Sequence, residues 1–258
     1  QFYEKVSPSR YKTTFSVKSN FMTAFRPYVG RLFLVPRKDN LGELEEFLRG
    51  REAVMVKPLS GLGGRDVHKQ MVASISDTAA FHRELLENDL FVEEVICQHP
   101  EISALCSASV NTIRVMTVNA GGEAALLYAC LRVGAGGDVD NFHAGGMAVQ
   151  VDLETGTLKG PAVNKICEEF EVHPVTGVRF DGRQLPMWDA VRRICLEASF
   201  VEPNIHVVGW DVAITPEGPV FVEGNRRPGF DLPQMTSGRG RKDIVRQVEQ
   251  RLEAAASA

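Results

Sequence analysis

Apolar runs and helical periodicities alternate along the first hundred residues. RLFLV (31–35) is strand-like, and LGELEEFLRG (41–50) predicts a short amphipathic helix stopped by Gly50. AVMVKP (53–58) predicts a strand, followed by the loop LSGLGGRD and a further short strand. SDTAAFHRELLEN (76–88) has helical periodicity behind a Ser or Asp cap, and LFVEEVI (90–96) returns to a strand. Beyond residue 100 strands dominate: NTIRVMTVNA (111–120), the Gly121-Gly122 turn, EAALLYACLRVG (123–134), and GGMAVQVD (145–152) before a D-L-E-T-G turn. LPMWDAVRRICLEASF (185–200) and RKDIVRQVEQRLEAAA are the late helices. This order predicts an α+β fold in two lobes, residues 1–97 and 98–258, meeting near residues 96–100.

Composition narrows the class. At 258 residues, 44% hydrophobic and 24% charged, the chain can bury a full core. A net charge of -4 with scattered Lys and Arg excludes a general nucleic-acid binder and leaves small anionic ligands open. No apolar run approaches the ~18 residues of a membrane span, and QFYEKVSPSRYK lacks the apolar segment of a signal peptide, so the expectation is a soluble, cytoplasmic protein. Five dispersed cysteines without C-x-x-C fit reduced thiols, and six dispersed histidines form no metal pair at helical spacing.

The densest chemistry lies in GWDVAITPEGPVFVEGN (209–225), where Asp211, Glu223 and Asn225 interrupt two otherwise apolar strands. Pro216-Glu217-Gly218 suits a three-residue hairpin loop, which pairs Asp211 with Glu223 and puts Asn225 on the same face. Carboxylates about 5 Å apart at an effective dielectric near 20 repel by about 3 kcal/mol, and a divalent cation removes that conflict. Two carboxylates and an amide form an oxygen-only set suited to Mg²⁺, whose shell is commonly completed by nucleotide phosphates. The plain alternative is a solvated hairpin edge, and a two-residue Glu217-Gly218 turn would put the carboxylates on opposite faces.

A second constellation is VMVKPLSGLGGRDVHK. Lys57 ends a strand ahead of Ser60, Gly61, Gly63, Gly64 and Arg65, where glycines let backbone N–H groups approach phosphate oxygens. The lysine precedes the glycines and no helix follows, so this is not a P-loop; a Gly-rich hairpin with an exposed lysine is the ordinary alternative. FVEEVICQHPE brings Glu93, Glu94 and Glu101 to the lobe junction, where acids suit an amino group or ribose hydroxyls. Glu101 is equally read as a helix-start acid.

Lys, glycine loop, E-E-V-I, a strand arginine and then Asp followed twelve residues later by E-G-N together resemble the ATP-grasp superfamily over most of the chain. "SVNTIRVMT", "NFHAGGMAVQVD" and "GWDVAITPEGPVFVEGN" are most similar to its sugar-transfer associated members, found with polysaccharide biosynthesis. The resemblance implies an ATP-grasp fold with nucleotide between two α+β lobes. It implies Lys57 on the α- and β-phosphates, the 60–65 loop over the β- and γ-phosphates, Glu93 facing the adenine amino group, the backbone of Glu94 and Ile96 on the purine edge, and Glu101 on ribose. Lys18 in "SVKSNF" stands for the earlier lysine usual in such proteins, and Asp211, Glu223 and Asn225 for the Mg²⁺ ligands. Arg114 is placed to neutralise charge on a transferred phosphoryl group or an oxyanion, with a structural ion pair as its alternative role. Asn141, His143, Gly145 and Gly146 would form a loop near the acceptor, with His143 either a general base or plain surface; Arg226 and Arg227 would reach an anionic substrate group. Trp188 and Trp210 read as core or pocket-wall aromatics.

Two features depart from the superfamily. Only about fifty residues precede Lys57, which leaves the acceptor site partial or completed by a partner or second subunit. Many of its carboxylate ligases carry an arginine two positions before the first metal aspartate, where this chain has Gly209. The activity the resemblance implies is MgATP-dependent joining of a carboxylate, through an acyl phosphate, to an amine, with an amino sugar or amino acid as the expected acceptor. A phosphotransferase acting on a sugar or polyol hydroxyl and a non-catalytic nucleotide-binding module are the competing readings.

Overall fold

The computed structural model describes residues 2–61, 67–135 and 145–257. Its strands are β1 (Phe33–Leu34), β2 (Ala53–Pro58), β3 (His68–Met71), β4 (Leu90–Glu94), β5 (Thr112–Ala120), β6 (Glu123–Val133), β7 (Met147–Val151), β8 (Leu158–Asn164), β9 (Glu169–Phe170), β10 (Val207–Thr215) and β11 (Gly218–Asn225). They form a four-stranded sheet, β1-β4-β2-β3, and a seven-stranded sheet, β11-β10-β5-β6-β7-β8-β9. All the strand pairings are antiparallel.

Local chemistry sets the elements of the small sheet. The helix Thr78–Glu87 starts where the Asp77 side chain accepts the Ala80 N–H at 3.0 Å, satisfying one of the orphan donors of the first turn. Leu41–Leu48 ends before Gly50, which takes a positive φ of 74°. Leu44, Phe47, Leu48, Phe81 and Leu85 of these two helices pack on Leu34, Val54, Val56 and Val92. The alternation of β2 and β4 therefore turns Lys57 and Glu93 to the opposite face.

The large sheet is covered on both faces. Ile113, Val115, Leu131, Val149, Trp210 and Phe221 form one side of its main core, against the helix Trp188–Ala198 and the N-terminal Phe21, Met22, Phe25 and Val29. Trp210 stacks on Phe221 with ring centroids 4.7 Å apart and meets Phe25 edge-on at 5.2 Å. Full burial of aromatics of this size stabilises by about 2 to 3 kcal/mol each. On the other face Met116, Tyr128 and Cys130 lie under Leu232, Ile244 and Val248 of the helices Asp231–Ser237 and Lys242–Ser257.

The apolar side chains of the N-terminal segment belong to the cores of the large sheet and not to that of the small one. Residues up to Val29 are held by the large sheet, because their aromatic side chains find their apolar partners there. The crossing falls at Gly30, with φ 62°, where a Cβ would lie 2.4 Å from Val220 Cγ1. The small sheet and its helices begin after that glycine.

The β10–β11 hairpin also differs from expectation. Thr215 pairs with Gly218, so the loop has two residues, Pro216 and Glu217, rather than three. The Thr215 hydroxyl accepts the Glu217 N–H at 3.2 Å and donates to the Gly218 carbonyl at 2.9 Å. Val212 then pairs with Phe221 but Asp211 with Glu223, leaving Val222 as the extra residue of a bulge. Pro216 cannot take the positive φ of a primed hairpin turn, and the bulge supplies local twist that such a turn would have given. The bulge also restores the pairing of Asp211 with Glu223.

Candidate active site

Arg114 on β5, Asp211 on β10 and Glu223 on β11 are successive cross-strand partners. Arg114 grips the Asp211 carboxylate through Nε and through Nη2 at 2.9 Å, and Arg132 of β6 adds Nη1 at 2.9 Å. Asp211 is only 2% exposed. Burial alone would raise its carboxyl, but the two guanidiniums hold it well below the usual carboxylate range. Glu223 goes the other way, pushed up by burial and by the neighbouring Asp211. Asn225 shares its face and donates Nδ2–H to Glu223 Oε1 at 3.2 Å.

The conflict between the carboxylates is therefore relieved differently from the expectation of a cation alone. Two arginines satisfy Asp211, and the penalty falls on Glu223. Arg132 escaped the sequence reading because it lies in an apolar strand with no motif around it. Gly224 faces the opposite side, where a Cβ would lie 2.6 Å from the Phe21 ring and 3.0 Å from Phe15. Gly209 answers the missing arginine: a Cβ there would lie 2.7 Å from Pro228 Cβ and 3.3 Å from Arg114 Cδ. Arg114 reaches Asp211 across the space that glycine leaves.

From the small sheet, Lys57 Nζ lies 2.5 Å from Glu93 Oε1, and Arg31 Nη2 lies 3.0 Å from Oε2. Glu93 is 1% exposed, and its carboxylate lies between these two cations. Burial would raise it, but Lys57 and Arg31 hold it below its ordinary value. Lys18 opens the helix Lys18–Ala24 and donates Nζ to the carbonyls of Pro58 (3.0 Å) and Gly61 (3.4 Å). Burial lowers its pKa, and Glu223, Lys57 and Glu93 are the charges near enough to act on it. Lys18 thus holds the end of β2 and Gly61 while its ammonium feels the charge of Glu223.

A cleft of about 810 Å³ opens beside this cluster, lined by Arg31, Arg51, Lys69, Glu94, Ile96 and Val220 among others. Its walls do not include Lys57 or Asp211, but Arg31 lines it and contacts Glu93, so cleft and charge cluster adjoin. Glu94 accepts the Leu32 N–H at 2.7 Å, and Ser60 and Glu101 are exposed. Gly63, Gly64, Arg65, Asn141 and His143 lie outside the described residues. Arg226 donates to the Ser7 carbonyl at 3.0 Å and Arg227 to Glu4 at 2.6 Å, so both are tied to the N-terminal segment rather than to the carboxylate row. Trp210 donates its indole N–H to Thr117 inside the core, and Trp188 packs on Gly156. Among the described residues no three His, Cys, Asp or Glu side chains converge on a metal. The oxygen set of Asp211, Glu223 and Asn225 still suits a hard cation, since Glu223 is a crowded carboxyl that positive charge would relieve.

These elements agree with a family assignment. The chain belongs to the sugar-transfer associated ATP-grasp family, whose model matches residues 29–250. Its fold is that of ATP-grasp ligase PsnB, solved with a phosphomimetic variant of minimal precursor, Mg and ADP: the TM-score is 0.54 at 12% identity, over 94% of this chain and 61% of that one. D-cycloserine synthetase DcsG matches with a TM-score of 0.52 at 12% identity, over 94% and 70% of the two chains. N5-carboxyaminoimidazole ribonucleotide synthetase from Thermotoga maritima matches with 0.50 at 12% identity, over 88% and 46%. The chain spans about three fifths of the length of the PsnB chain it matches. No curated protein matches it. At these identities the likenesses concern the fold. No helix among the described residues is long and apolar enough to cross a membrane.

Proposed function

We propose that the protein is a cytoplasmic ADP-forming ligase that joins a carboxylate to an amine at the expense of ATP. The supporting observation is the row Arg114–Asp211–Glu223 on the large sheet, with Lys57 and Glu93 on the small sheet and Lys18 near enough to all of Glu223, Lys57 and Glu93 for their charges to act on it. Lys57 and Lys18 would bind the nucleotide phosphates, with the 60–65 loop over them, and the linker at Glu94 and Ile96 would present backbone to the base. Asp211, Glu223 and Asn225 would hold Mg²⁺, which supplies charge neutralisation for the phosphates.

In the first step a carboxylate oxygen of the substrate forms a bond to the γ-phosphorus of ATP as the bond to the ADP oxygen breaks. In the second the amine nitrogen bonds to the acyl carbon, phosphate leaves, and the nitrogen loses a proton. Negative charge builds on oxygen in both steps. Arg114, whose Nη2 donates to Asp211, would stabilise it. The acceptor in this reading is an amino sugar or amino acid in polysaccharide or related biosynthesis, and its only support is the sugar-transfer association in the family's description; a partner or second subunit would complete that part of the site.

The test incubates the protein with MgATP, ¹⁸O-labelled carboxylic acids and a panel of amines. Transfer of one ¹⁸O into released phosphate supports the reading. ADP formed with a phosphorylated hydroxyl compound and no free phosphate would assign a phosphotransferase instead, and tight ATP binding without turnover under any acceptor mixture would contradict both.

A further inference from the structure

Arg31 was not marked by any motif, yet it joins more of the site than any residue that was. Its side chain is 5% exposed. Nη2 donates to Glu93 Oε2 at 3.0 Å on the small sheet, and Nη1 donates to the Phe221 carbonyl at 2.7 Å on the large one and to Val29 at 3.1 Å. Phe221 immediately precedes Val222, the bulge residue that brings Glu223 opposite Asp211. Glu93 in turn holds Lys57. One guanidinium therefore connects the phosphate-site lysine, through Glu93, to the backbone that sets the carboxylate hairpin.

We propose that Arg31 is a positioning residue that couples the nucleotide side of the cleft to the metal-binding hairpin, so that cation binding at Glu223 and nucleotide binding at Lys57 reinforce each other. The inference rests on the nucleotide and metal reading above. Its physical basis is the fork of the guanidinium, whose two terminal nitrogens make separate hydrogen bonds at fixed spacing. A lysine ammonium can replace the charge beside Glu93 but has no such fork. Without the second arm β11, which ends the large sheet, loses the side chain that fixes its bulge to the small sheet. A lobe-level strut of this kind leaves a particular signature: it alters how much Mg²⁺ tightens ATP, because that ratio measures coupling between the two halves.

The experiment measures ATP affinity by calorimetry, with Mg²⁺ and with chelator, for the wild type, Arg31→Lys and Arg31→Gln, after circular dichroism has confirmed folding. The wild type should bind ATP more tightly with Mg²⁺. Arg31→Lys should keep the Mg²⁺-free affinity within about twofold and lose about tenfold of the Mg²⁺ enhancement; Arg31→Gln should weaken both. Adding Arg31→Lys to Glu223→Gln should then change nothing further. An unchanged Mg²⁺ enhancement in both folded Arg31 variants would overturn the coupling while leaving the nucleotide reading intact. Failure of the wild type to bind ATP under either condition would overturn the nucleotide reading, and this inference with it. If Arg31→Gln does not fold, Arg31→Lys alone decides between these results.

Discussion

Asp211 and Glu223 face each other across β10 and β11. With Asp211 kept ionised by two arginines, a proton on Glu223 is held more firmly than in the unfolded chain. Burial and Asp211 raise its pKa in the folded state above the unfolded value. The stabilisation from that proton is complete below the unfolded pKa and is lost as pH rises through the folded one. Glu223→Gln, which mimics the protonated acid, should therefore melt at or above the wild-type temperature in chelator at neutral pH. A melt clearly below wild type would show that the ionised form of Glu223 supports the fold.

Asp211 has the opposite status. Asp211→Asn leaves Arg114 and Arg132 facing a neutral amide in a site where Asp211 is 2% exposed. Breaking such a buried pair costs about 3 kcal/mol, or a fall of roughly 6 to 12 °C for a domain of this size. Differential scanning calorimetry of the two variants should therefore separate them: Asp211→Asn loses stability, Glu223→Gln does not.

Gly209→Ala tests the space used by Arg114. Its Cβ would press on Pro228 at 2.7 Å and on Arg114 at 3.3 Å, and overpacking of this kind costs about 1 to 3 kcal/mol. The variant should melt lower and release less phosphate in any acceptor mixture on which the wild type turns over. Wild-type stability and turnover in Gly209→Ala would mean that Arg114 does not depend on that gap.

Glu93 supplies a pH dependence of opposite sign to Glu223. Its folded pKa is lowered by Lys57 and Arg31 against the cost of burial, so its contribution is present above the unfolded value and lost as pH falls through the folded one. In urea unfolding, Glu93→Gln should be less stable than wild type by about 3 kcal/mol at neutral pH, with the gap narrowing below about pH 4. A gap that is constant with pH would mean that packing, not charge, carries the effect.

Much of this architecture was legible because short-range chemistry decided it. AVMVKP is β2 residue for residue, and Asp77 caps its helix as the sequence implies. The pairing of Asp211 with Glu223 was also legible, although through a three-residue loop that the chain does not form. A shorter turn and the bulge at Val222 offset each other, and no local signal separates these routes. What the sequence concealed was long-range. Nothing near Phe2–Val29 shows that these residues pack on strands two hundred residues later, and nothing beside Arg31 or Arg132 marks them as partners of Glu93 and Asp211. The ion pairs of Glu93 were hidden for the same reason, since both of its cations come from other strands or loops.

The measurement that bears most directly on the central claim is ATP binding by the wild type and Glu223→Gln, titrated calorimetrically with Mg²⁺ and with chelator. The account predicts that Mg²⁺ tightens ATP binding by the wild type at least about tenfold, a gain of about 1.4 kcal/mol, and that Glu223→Gln loses most of that gain while still binding ATP in chelator. Equal Mg²⁺ dependence in the two proteins, or no ATP binding by either, would contradict the assignment of the β10–β11 hairpin as the metal site.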